Sequence, residues 1–101
     1  MELTFEWDEK KASSNLRKHE VSFKEVKTIF NDPLSITIPD PRHSGEEDRY
    51  VDIGLSAKGR VLVVVYTERQ KNIRIISSRK ATKTEHRNYE QKQYKKRKIK
   101  R

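Results

Sequence analysis

The unbroken run Val61-Leu62-Val63-Val64-Val65 constrains the fold of this chain more than any other segment. It shows no alternation of apolar and polar residues, and a turn, Ala57-Lys58-Gly59, leads into it. Such a run reads as a central strand covered on both faces, so the fold must supply neighbouring strands at its sides and packing layers above and below. The turn from Glu68 to Asn72 then leads into a further strand, Ile73–Ser78.

The rest of the chain supplies those layers. Leu3, Phe5 and Trp7 alternate with Thr4 and Glu6 as a short first strand. Asp8 is placed to cap a helix with Ala12 and Leu16 on a narrow apolar stripe, ending near Lys18-His19-Glu20. Ser22-Phe23-Lys24-Glu25 has the form of a capping box, and Val21 with Val26 the spacing of a hydrophobic staple. That second helix stops at Asn31-Asp32-Pro33. Leu34, Ile36 and Ile38 alternate as a half-buried strand, and a polar loop from Arg42 to Asp48 follows. The next strand is expected to turn Val51, Ile53 and Leu55 inward, with Asp52 and Gly54 on the other side. Thr82-Lys83-Thr84-Glu85 is another capping box and opens a last helix through Tyr89, to about residue 96. Short connections between the later strands favour an antiparallel meander. The expected class is therefore α+β: a mainly antiparallel sheet packed by two N-terminal helices and a C-terminal helix.

Charge divides the chain in two. The formal net charge is +9, but the last ten residues hold seven of the 24 basic residues and no acid. Residues 1–91 carry 17 basic against 15 acidic residues, a net of +2. We therefore separate a domain, 1–91, from a basic tail, 92–101, which reads either as a nucleic-acid contact or as a solvated end. The lack of cysteine excludes thiol catalysis and fits a reducing cytoplasm. No apolar run approaches the ~20 residues that span a bilayer, so a cytoplasmic protein with no membrane association is expected.

Several chemistries lack their residues. The three glycines are isolated at 45, 54 and 59, so there is no glycine-rich phosphate loop. His19, His43 and His86 have no metal-ligand spacing, and neither a metal nor a cofactor is expected. The remaining Arg, Lys, His, Glu and Tyr residues are the kit for metal-free RNA cleavage. The ribose 2′-OH attacks the adjacent phosphate, which needs a base, an acid and cations for the developing charge. Arg79 and Arg74 come first for the cationic role, because a planar fork matches phosphate oxygens. On a regular strand they point to opposite faces, with Arg79 on the side of Ile73 and Ile75. The alternative is an ion pair with Glu47, Asp48 or Glu85 that holds sheet to helix. The loop His43-Ser44-Gly45-Glu46-Glu47-Asp48-Arg49 offers a base and a further cation, or else a solvated acidic loop. His19 beside Lys18 fits a helix C-terminal cation as well as a base. Trp7 reads as core, and Tyr50, Tyr66 and Tyr89 as structural aromatics.

Taken in order, Phe5-Glu6-Trp7-Asp8, Lys11, Asn15, Lys18-His19, Val21-Ser22-Phe23, Phe30-Asn31-Asp32-Pro33, His43-Ser44, Glu47-Asp48-Arg49-Tyr50, Gly54 and Arg74–Thr82 with Glu85 and Tyr89 resemble the BrnT family. These are toxins of bacterial type II toxin–antitoxin pairs, and the likeness runs from about residue 5 to 90. Ser78 departs from the small alanine expected there, and the tail lies outside the likeness. The resemblance implies a RelE-like fold and a ribonuclease that blocks translation. It also implies a BrnA-type ribbon-helix-helix antitoxin, in a 2:2 complex that reaches operator DNA through the antitoxin. The resemblance does not fix the mechanism residue by residue; the candidates are Arg79, Arg74 and Arg49 as phosphate contacts, Glu47 or His43 as proton-transfer groups, and Lys18, His19 and Lys80 as RNA contacts. The competing reading is a non-catalytic RNA-binding or co-repressor module.

Overall fold

The computed structural model describes residues 2–40 and 48–99. Chain order is β1 (Thr4–Glu6), α1 (Glu9–His19), α2 (Phe23–Lys27) continued by a 3-10 turn (Thr28–Asn31), β2 (Ile36–Pro39), β3 (Arg49–Leu55), β4 (Val61–Arg69), β5 (Asn72–Lys80) and α3 (Lys83–Ile99). One five-stranded sheet has the order β1-β5-β4-β3-β2. The last four strands form the expected meander, and β1 adds in parallel to the outer edge of β5. The apolar run lies at the middle of the sheet, where Val61, Leu62, Val63 and Val64 are all buried.

Local chemistry sets the helix ends. The Asp8 carboxylate accepts from the amides of Lys10 and Lys11 and starts α1. Glu20, in the left-handed region at φ 59°, ends it. Ser22 Oγ accepts from the Glu25 amide, but Glu25 does not reach back to complete the box. Its buried carboxylate turns instead to Arg60 and to Ser56 Oγ, tying α2 to the β3–β4 turn. α3 has both halves of its box: Glu85 N–H donates to Thr82 Oγ1, and Thr82 N–H donates to Glu85 Oε1. It runs to Ile99, past the expected end.

The main core lies between α1, α2 and one sheet face. Val21, Phe23, Val26 and Ile29 pack there on Leu62, Val64, Tyr66, Ile73 and Ile75. Each such side chain contributes about 1.5–3 kcal/mol by leaving water. Trp7 is half-buried, edge-on to Phe23, with centroids 5.9 Å apart.

Two sequence expectations about faces are reversed. On β3 the residues turned to the helices are Asp52 and Gly54, opposite Val64 and Leu62, not Val51 and Ile53. The reason is space and pairing. A side chain at Gly54 would meet the Cβ atoms of Ile29 and Ser35 at 3.2 Å, and Asp52 accepts a 2.9 Å hydrogen bond from the Tyr66 hydroxyl. The second reversal occurs on β5, where Ile75 pairs with Tyr66 but Ser77 pairs with Val65. Ile76 is thus the extra residue of a β-bulge, and alternation restarts beyond it. Ser78, not Arg79, faces the helices. Arg79 lies opposite Val63, on the same face as Arg74 opposite Thr67.

Candidate functional site

The bulge places Arg79 in a cleft of about 410 Å³ on the sheet face away from the main core. Val51, Val63, Val65 and Ile38 form its apolar floor, and Ser77, Asp40, His19, Arg79 and Glu85 line it. Asn15 fixes the corner nearest α1. Buried, it donates to the Val21 carbonyl and accepts from the Ser78 amide, locking α1 onto β5 one residue before Arg79. His19, at the end of the same helix, is thereby carried to the cleft rim.

Arg79 is held end-on by Glu85 from the first turn of α3. Nη1 and Nη2 donate to the two carboxylate oxygens at 2.8 and 2.9 Å, and Nη1 also donates to the Lys80 carbonyl. The guanidinium beside Glu85, with the Thr82 amide, holds that carboxyl down at about 2. It is therefore an ionised orienting group, not a proton donor, at neutral pH. A guanidinium has five N–H donors. Those on Nε and the second Nη2 hydrogen lie parallel along one edge and have no partner among the described residues. That edge matches two phosphate oxygens.

The other sequence candidates fall in three places. Arg74 does not line the cleft; its Nη1 pairs with Glu6 on β1 at 3.3 Å, a partner the sequence did not suggest. Arg49 shares the sheet face of Arg79, and its buried Nε has no hydrogen-bond partner among the described residues. Lys80 Nζ pairs with Glu20 at 3.1 Å, both exposed, and Lys18 is exposed on α1 without lining the cleft. His43 and Glu47 lie outside the described residues. Asp40 was missed by sequence reasoning, since nothing in its neighbourhood signals the cleft, and Ser77 entered only as part of the Arg74–Thr82 stretch. Asn15 was quoted only as part of a pattern. Among the described residues no group of His, Asp or Glu side chains could hold a metal ion, and no helix is long and apolar enough to cross a membrane.

The family model described as the ribonuclease toxin BrnT of type II toxin–antitoxin systems matches residues 7–85. The chain belongs to the BrnT family. The matched span includes His19, Arg79 and Glu85, so the whole cleft lies within the BrnT part of the chain. Membership makes this a ribonuclease-toxin family protein and implies a protein antitoxin as its partner. The crystal structure of the ribonuclease toxin BrnT of Brucella abortus has the same fold, with a TM-score of 0.63. That match is 21% identical in sequence and covers 80% of this chain and 99% of the other. No protein of curated function matches the sequence.

Proposed function

We propose that this BrnT-family chain is a metal-independent endoribonuclease, acting through the cleft around Arg79 to stop translation. The observation that carries the reading is the two-donor edge of Arg79, left open by its end-on pairing with Glu85. A phosphodiester on that edge would place its charge against a fixed guanidinium, and the transition state carries more charge than the ground state. The 2′ oxygen forms a bond to phosphorus as its proton passes to a base. The bond from phosphorus to the 5′ oxygen breaks, and that oxygen takes a proton from an acid. The products are a 2′,3′-cyclic phosphate and a 5′-hydroxyl. His19 at the rim is our first choice for one proton transfer, because an imidazole both accepts and donates. His43 or Glu47 is proposed for the other. Lys18, Lys80 and the tail 92–101 add electrostatic attraction for RNA.

Family membership supports a BrnA-type ribbon-helix-helix antitoxin in a 2:2 complex, reaching operator DNA through the antitoxin. We place the fold with RelE-like toxins, on its antiparallel meander with both N-terminal helices on one face. A cytoplasmic site of action follows from an mRNA target. The test uses purified protein, labelled single-stranded RNA and excess EDTA. Cleavage leaving cyclic-phosphate ends, lost in Arg79→Ala while that variant still binds the antitoxin, is the expected result. Intact RNA from folded protein, or cleavage that stops with EDTA, would refute it.

A further inference from the structure

The registers of β2 to β5 lay out the sheet face away from the main core as a grid. Ile38, Val51, Val65 and Ser77 stand in one row across the four strands, and Val63 stands beside Arg79 in the next. The row spans three strand spacings, about 14 Å at ~4.8 Å each, and all six residues line the Arg79 cleft. From β2 to β4 the floor is therefore aliphatic, and it is flat, because β-branched side chains stand upright on a pleated sheet. Val51 and Val65 are half-buried, and Ile38 is 46% exposed. The β2–β3 connection, residues 41–47, carries no large apolar side chain that could cover them. A phosphate needs donors and gains nothing from such a floor. The cleft, at about 410 Å³, is of the size that holds a whole small ligand.

Arg79 presents its open two-donor edge at the β5 end of this floor. The middle of the floor, between Val65 and Val51, lies two residues along and one to two strands over from Arg79, roughly 10 Å away. A guanidinium, a phosphate on its edge and the base of that nucleotide together cover such a distance. We infer that Val51, Val65 and Ile38 form a nucleobase subsite, on which the base next to the phosphate held by Arg79 lies flat. The inference rests on RNA being the substrate of the Arg79 cleft. Two properties of the substrate follow. A base lying flat on the sheet has left its stack and its pairing partner, so the site takes single-stranded RNA and not duplex. Among the described residues no aromatic ring lines the cleft, and Tyr50 and Tyr66 pair on the face turned to the helices. The base is then held by dispersion against methyl groups, which grades bases by size, purine above pyrimidine. The subsite does not need Asp40, which has an interaction of its own.

Fluorescence anisotropy with two fluorescein-labelled strands of eight units tests it. One is a 2′-O-methyl oligoadenylate, which lacks the nucleophilic hydroxyl and stays intact; the other is a base-free chain of abasic sugar-phosphates. Val65→Thr keeps the side-chain shape and replaces a methyl by a hydroxyl. Ile38→Thr trims a side chain already exposed, so folding withstands it. Each is expected to weaken binding of the base-bearing strand about threefold to fivefold and to leave the base-free strand unchanged. Neither removes a charge, so the slope of log affinity against log salt stays the same. Arg79→Ala is expected to weaken both strands alike and to lower that slope by about 0.7. Thermal unfolding of each variant accompanies the titrations. An equal loss on both strands in the threonine variants, or no loss on either, would overturn the subsite. Normal binding of both strands with loss of the coexpressed antitoxin would also overturn it and give the face to that partner. The site itself is judged separately. Arg79→Ala that binds both strands as wild type does refutes the phosphate contact, whereas the expected Arg79→Ala loss without a base effect refutes only the subsite.

Discussion

Glu85→Gln separates orientation of Arg79 from direct action on the substrate. The carboxylate receives two hydrogen bonds from Arg79 and one from the Thr82 amide, all between 2.8 and 2.9 Å. Its ionisation is held from the ordinary 4.5 down to about 2, which taken at face value would be ~3 kcal/mol. The Arg79 side chain is 44% exposed and that of Glu85 26%, so solvent screening leaves about 1–2 kcal/mol. Glutamine keeps an acceptor for Thr82 but loses the charge and one guanidinium contact. We expect Tm to fall by roughly 5–10 °C for a domain of this size. Single-turnover cleavage of a labelled RNA should slow about 10- to 100-fold, because the free edge of Arg79 is no longer held in place. Arg79→Ala should slow it about 100- to 1,000-fold. The decisive measurement is the double variant. If Glu85 works only through Arg79, the two losses are not additive, and the double variant cleaves as slowly as Arg79→Ala alone. A further tenfold loss in the double variant would refute the orienting role and make Glu85 a group that touches substrate. So would an undiminished rate in Glu85→Gln.

Three other outcomes follow from the same packing. Glu85 is depressed, so its contribution is fully present above the unfolded value near 4.5 and is lost as pH falls through the folded value of about 2; urea titrations from pH 5 to pH 2 should show wild type losing stability that Glu85→Gln never had. Asp52 has the opposite sign, because burial raises its pKa; Asp52→Asn should be more stable than wild type at pH 8, with the advantage shrinking toward pH 4, as denaturant midpoints will show. Arg60→Ala strands the buried carboxylate of Glu25 and should cost about 3 kcal/mol, read by chemical denaturation, with Arg60→Lys recovering only part of the loss.

Much of the fold was legible because it depends on patterns that tertiary context seldom overrides. The apolar run became the central strand, Asp8 and Thr82 became caps, and the order of elements followed from turn residues. The parallel pairing of β1 was not legible, since an isolated three-residue strand carries no signal of which edge it joins. Nor was the face of β3. Alternation marks two sides of a strand but does not say which one the helices cover, and a buried Asp52 is readable only once Tyr66 stands beside it.

The candidate site turned on one unpaired residue. Sequence parity put Arg79 among Ile73 and Ile75, where a guanidinium would have needed a buried partner. The extra residue Ile76 sends Ser78 there instead, small enough to sit against Asn15 and bond to the Val63 carbonyl. A regular strand could have kept Ile73 and Ile75 in the core only by burying Arg79 as well. The bulge satisfies both demands, giving the core its isoleucines and the open face its arginines. It also explains why Arg74 and Arg79, five residues apart, share a face. Ser77-Ser78 between Ile76 and Arg79 is the local signal, since two small polar residues in succession suit neither face of a regular half-buried strand. The bulge and the arginine pair are therefore one device, and straightening β5 by deleting Ile76 should cost RNA binding and core packing together.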